Sequence, residues 1–91
     1  MSLENRKIRI ESILRNTFDP ILLEVRDDSN KHSGHSAIEK GALETHFYIK
    51  MTANSFKGLS KVIMHRQVYE VLKNEFKVGL HAIELDLNTE L

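Results

Sequence analysis

Five histidines and no cysteine is the unusual ratio in this sequence, and the chemistry turns first on what each imidazole does. His32 and His35 bracket the tetrad HSGH at 32–35. Glycine and serine beside two imidazoles let a backbone wrap an ion, yet the same spacing in a polar stretch also describes two solvated side chains. His81 follows Gly79-Leu80 and opens a run in which His81, Ile83, Leu85 and Leu87 share one face. It reads either as an edge residue or as an imidazole presented at the end of a sheet. His65 falls at the centre of a helical apolar arc, the place of a core histidine bonded to a nearby acceptor, or of an acid, base or ligand. His46 alternates outward on a strand, where it either pairs across the sheet or shapes a binding surface. His32, His35 and His81 would converge if the polar stretch folded over the end of the last strand.

Catalytic patterns are absent. There is no GxxxxGK[ST], GxGxxG or HExxH. Asp27 and Asp28 are adjacent, so on a strand they point to opposite faces and make a poor acid/base pair. A non-catalytic role is expected. The missing cysteines exclude a disulfide framework and a thiol nucleophile, and they leave the chain unable to hold an iron–sulfur cluster alone, since such clusters rest on thiolates.

Charge is distributed unevenly. Residues 57–77 carry Lys57, Lys61, Arg66, Lys73 and Lys77 against Glu70 and Glu75, whereas 78–91 carry Glu84, Asp86 and Glu90 with no cation. Lys57, Lys61, Arg66 and Lys73 read either as contacts to nucleic-acid phosphates or as the solvated face of a helix. The overall balance of 13 Lys+Arg against 13 Asp+Glu opposes strong, sequence-indifferent binding to nucleic acid.

The elements that would position these groups follow from periodicity. Residues from about 4 to 17 read as a helix, with Ile10, Ile13, Leu14 and Phe18 on one stripe and Arg6, Lys7, Arg9 and Arg15 turned to solvent. Asp19-Pro20 ends it, because a residue before proline avoids the α region. Residues 21–27 alternate as a half-buried strand with Ile21, Leu23 and Val25 on one side. The polar stretch that follows has no period and reads as a long, flexible loop over about 29–43. A second strand spans 44–52, with Phe47, Ile49 and Met51 inward. Gly58 pivots a turn region over 53–59, and Ser60 caps a long helix over 61–77. Met64, Val68, Leu72, Phe76, Tyr69 and Val62 form its apolar arc. Val78-Gly79 stops it, and 80–87 form a third strand.

The result is a two-layer α+β fold: helices on one face of a three-stranded sheet, with the first two strands antiparallel. The third strand joins either parallel to the second or beside the first. With 91 residues the expectation is a single domain over 1–91, its core spanning about 4–88. A composition of 41% hydrophobic and 29% charged residues suits a soluble globule. No apolar run nears the roughly 18 residues of a membrane span. The opening MSLENRKIRIES lacks the apolar region of a secretory signal. A cytoplasmic protein without a membrane partner is expected.

Several spaced motifs in this order resemble the BolA family. They are Phe18-Asp19-Pro20, a strand ending Asp27-Asp28-Ser29, the HSGH tetrad, Glu44-Thr45-His46-Phe47, Ser55-Phe56-Lys57-Gly58, His65-Arg66-Gln67-Val68-Tyr69 and His81-Ala82-Ile83. The resemblance covers about Ile10 to Thr89. It implies a KH-like (class II) fold of order αββααβ with a mixed sheet, matching the order read from periodicity.

The resemblance also implies a partner, a monothiol glutaredoxin of the CGFS type, with which such proteins bridge a 2Fe-2S cluster. The glutaredoxin cysteine and glutathione hold one iron, and the BolA-like chain supplies a histidine at the third strand and a His or Cys from the long loop. Carried to this sequence, the strand ligand is His81 and the loop ligand is His32 or His35. No cluster is then expected in the isolated protein. The family is also described as DNA-binding transcriptional regulators of stress response and cell shape, through a helix–turn–helix that would fall at 54–70. Here Met64-His65-Arg66 stands where relatives commonly carry Arg-His-Arg, and no GxxG clamp occurs near Lys57-Gly58-Leu59-Ser60. A homodimer and a mononuclear site built from His32, His35 and His81 both stay open.

Overall fold

A computed structural model describes residues 5–28 and 45–91. Helix α1 (Arg6–Phe18) is capped by the Asn5 side chain, which accepts the Ile8 N–H, and ends at Asp19 in the left-handed region. Strand β1 (Leu22–Asp27) leads away from it, and β2 (His46–Thr52) returns antiparallel, pairing Val25 with Ile49. A 3-10 turn (Asn54–Phe56) precedes α2 (Lys61–Val71), whose N-cap is Ser60 as expected, its hydroxyl accepting the Ile63 N–H. A short α3 (Lys73–Lys77) and β3 (Ala82–Asn88) complete the chain order. Strand β3 lies parallel to β2, so the sheet runs β1-β2-β3 and is mixed. This is the expected αββααβ arrangement, and of the two placements for the last strand the structure takes the parallel crossover.

The alternation of β2 divides the molecule. Phe47, Ile49 and Met51 are buried toward the helices, where Val25 and Leu87 flank them across the sheet. Ile10, Leu14 and Phe18 of α1 and Met64 and Val68 of α2 close the core from above. Phe56 from the 3-10 turn packs on Phe18 with ring centroids 5.2 Å apart.

Three expectations are corrected. The helix over 61–77 is two helices, broken at Leu72, a buried residue with φ −100° and ψ 7°. The buried arc is also rotated. It runs through Met64, Val68, Leu72 and Glu75, with Val71 packed beside it, while Val62 and Tyr69 are exposed. His65 therefore sits half-buried on the flank of α2 and not in the core. Finally, Arg6 and Arg9 do not face solvent as free cations, because both bind the Glu75 carboxylate. Past the break, α3 holds Glu75 against Arg6 and Arg9 of α1.

Candidate functional site

Three successive devices present His81. Gly79 turns the chain at φ +127°, a conformation that side chains of other residues rarely adopt. Leu80 then plugs into the core, and its N–H donates to the Glu75 carbonyl at 2.9 Å. The N–H groups of His81 and Ala82 both donate to the Thr45 carbonyl, at 2.8 and 3.1 Å. The backbone of His81 is thus fixed on both sides while its side chain is exposed. His81 stands one residue before β3 and not on the core-facing register of the strand. Among the described residues, neither of its ring nitrogens is hydrogen-bonded, so the imidazole is available to a ligand from outside.

His46 is its neighbour. Residue 46 pairs with Ala82, and the two imidazoles meet edge to face with centroids 5.9 Å apart. The His46 Nδ1 lies 2.9 Å from the Thr45 hydroxyl. The expected cross-sheet neighbour of His46 is thus a second histidine. The same end of the sheet holds Asp28, whose N–H donates to the His46 carbonyl at 2.8 Å. Asp28 and Thr45 are the described residues that flank 29–44, and of the two, Thr45 bonds the His81 backbone. His32, His35 and the loop expected over about 29–43 lie outside the described residues. Among the described residues no group of three or more His, Asp or Glu is placed to hold a metal.

The four cations weighed as phosphate contacts are not equivalent. Lys61 donates to the Leu87 carbonyl. Lys73 pairs with Glu70 at 2.8 Å, a contact that raises the lysine pKa and lowers that of the glutamate. Lys57 and Arg66 are exposed and have no carboxylate partner among the described residues. Arg66 lines an open groove of about 600 Å³ together with Phe18, Ile63, Gln67 and Val71. His65 borders a second shallow depression with Val62, Arg66 and Tyr69.

The model of the family described as BolA-like protein matches residues 14–91. The chain belongs to the BolA family. It is 39% identical to SufE-like protein 1, chloroplastic/mitochondrial, of Arabidopsis thaliana, over 98% of this chain and 25% of that one. The solved BolA domain of that relative superposes with a TM-score of 0.83, covering 97% of this chain and 95% of the domain. BolA1 from Arabidopsis thaliana superposes at 0.85 with 35% identity and the same coverage. The DNA-binding transcriptional regulator BolA of Escherichia coli is 35% identical over 89% of this chain and 72% of its own length. This BolA-family chain spans a quarter of the length of SufE-like protein 1 and about half (53%) of the curated Arabidopsis BOLA1 sequence. Among the described residues no helix is long and apolar enough to cross a membrane.

The cluster that sequence reasoning missed is structural. Glu75, 6% exposed, receives hydrogen bonds from Arg6 Nε and from Arg9 Nε and Nη2. The Arg9 hydrogen bond, aided by Arg6, holds its carboxyl below the usual glutamate value against the opposing effect of burial. A signal existed: Glu75 continues the stripe of Met64, Val68 and Leu72, and Arg6 and Arg9 sit three apart on one face of α1.

Proposed function

We propose that this BolA-family chain is a non-catalytic partner of a monothiol glutaredoxin, sharing with it a 2Fe-2S cluster for iron–sulfur assembly, transfer or iron and redox sensing. The observation that carries the reading is the exposed imidazole of His81, fixed through its backbone at the sheet end where residues 28 and 45 bracket the segment bearing His32 and His35. The donor chemistry fits. This chain offers imidazoles and no thiolate, so the thiolates must come from the glutaredoxin cysteine and glutathione. His81 and one of His32 or His35 would bind one iron. Imidazole in place of thiolate raises a cluster's reduction potential, as in Rieske centres. The cytoplasm is the proposed compartment, although the Arabidopsis relatives carry organelle names.

The test is reconstitution of the cluster with a CGFS glutaredoxin and glutathione, read by visible circular dichroism and electron paramagnetic resonance. His81→Ala should change both spectra, and one of His32→Ala or His35→Ala should do so as well. Spectra identical to wild type for all three would sink the proposal.

A second reading has one specific support, the name and 35% identity of the Escherichia coli DNA-binding regulator. In this chain it would rest on Lys57 and Arg66, with Lys61 and Lys73 already engaged by Leu87 and Glu70. Lys57→Ala plus Arg66→Ala should then weaken DNA binding and flatten its salt dependence. Unchanged affinity and slope in the double variant would exclude it.

A further inference from the structure

Strand β3 is an edge of the sheet, and among the described residues nothing pairs with its outer side. The direction of its backbone groups follows from two bonds. The Ala82 N–H reaches the Thr45 carbonyl, and the Asn88 carbonyl accepts the Ala53 N–H, both on the β2 side. Backbone groups alternate along a parallel strand, so Ile83, Leu85 and Leu87 direct theirs outward. The N–H and C=O of Ile83 and Leu85 and the N–H of Leu87 are therefore unpaired among the described residues. The Leu87 carbonyl is taken by Lys61 Nζ, which closes the far end of the edge.

The side chains restrict what can pair there. From residue 78 to 91 the chain carries Glu84, Asp86 and Glu90 and no lysine or arginine. Glu84 is exposed and unpaired among the described residues, while Asp86 also faces the helix-free side and accepts from Tyr48 and Asn88. Two copies of β3 joined antiparallel about Leu85, the register that uses the whole edge, would set Glu84 of each copy against Asp86 of the other. Like charges directly opposite destabilise a strand pair. Asp86 has Lys50 as its register partner on β2, so the exposed Glu84 is the carboxylate that disfavours phosphate along this edge. A complementary occupant is an extended segment with cations opposite Glu84 and Asp86 and apolar residues at alternate positions beside Ile83 and Leu85.

We propose that the β3 edge, from Ile83 to Leu87, accepts an extended, basic segment of a partner protein as a fourth strand of the sheet. Main-chain hydrogen bonds supply affinity in such strand addition, and alternate side chains supply selectivity. The edge begins just past His81, so the added strand runs beside that imidazole. The proposal does not depend on a cluster there.

The test is an NMR titration of the full chain with a short capped peptide of alternating Lys and Val. The Ile83, Leu85 and Leu87 amides should shift, and their exchange with solvent should slow. A matching peptide of alternating Glu and Val should leave them unmoved. N-methylation of the peptide's pairing edge should abolish the effect without any change to the protein. Glu84→Lys, at an exposed position, should weaken the Lys peptide by about fivefold. Lys-peptide shifts confined to other residues, or none at millimolar peptide, would overturn the proposal. So would slowed exchange of these amides from raising the protein concentration alone, which points to a second copy. Shifts of the same amides by single-stranded DNA but not by the peptide would overturn it too.

Discussion

Arg9 holds Glu75 side-on, its Nε 2.8 Å from Oε2 and its Nη2 3.0 Å from Oε1. Arg6 adds a third bond to the same carboxylate and a fourth, from Nη2, to the Val78 carbonyl at 2.8 Å. These contacts join the first helix to the short third one, directly beneath the turn that delivers His81. Removing the acid takes away the carboxylate that both guanidinium groups share, one of them on a side chain only 12% exposed. Glu75→Ala should therefore cost about 3 kcal/mol in urea unfolding. Arg9→Ala should cost distinctly less, because Arg6 still pairs the carboxylate. Equal losses in the two variants would show that the Arg6 contact contributes little.

The same carboxylate sets a pH dependence. Its folded pKa lies below the ordinary value of 4.5, chiefly through the Arg9 hydrogen bond. A depressed acid stabilises the fold fully above its unfolded pKa, and the contribution fades as pH falls through the folded value. Acid titration of wild type should thus show a loss of stability below about pH 4.5 that Glu75→Gln lacks. A parallel decline in both proteins would assign acid unfolding to other carboxylates.

Gly79 is constrained twice. Its φ of +127° strains any side chain, and a Cβ there would lie 2.9 Å from Arg6 Nη2. Gly79→Ala should cost roughly 1–3 kcal/mol and displace Arg6 from Val78. At Gly58, with φ +83°, a methyl group would meet nothing within 4 Å, so only the backbone cost applies. The Gly58→Ala loss should be the smaller of the two by thermal melting.

Much of this fold was legible in the chain because local rules and burial agree there. The Asp19-Pro20 stop, the Ser60 cap, the inward set Phe47, Ile49 and Met51 and the Gly79 turn all follow from conformational limits or alternation, and each stands where expected. Periodicity failed at Leu72, where no proline or glycine marks the break. What stands beyond the break is a long-range contact that periodicity cannot register: Glu75 meets Arg6 and Arg9, residues more than 60 positions away. The arc of α2 differs from the expected one because hydrophobicity alone ranked Tyr69 and Val62 inward, whereas the fold buries Met64, Val68 and Leu72 and leaves those two exposed. At the candidate site, the sequence marked His81 as a strand-end imidazole, but its neighbour His46 required the parallel register of β2 and β3.

That neighbour makes the last prediction discriminating. His81 is exposed and its ring meets the edge of the His46 ring, so His81→Ala should leave unfolding within about 0.5 kcal/mol of wild type. His46 is half-buried, and its Nδ1 meets the Thr45 hydroxyl, so His46→Ala should cost more. If His81 serves a bound cluster, its variant should change the spectrum of the reconstituted complex while its melting curve does not move. His46→Ala should do the reverse, lowering the melting temperature while the cluster signal persists. A melting loss in His81→Ala as large as in His46→Ala would mean that the exposed imidazole is a structural residue after all, and the cluster reading would lose the observation on which it rests.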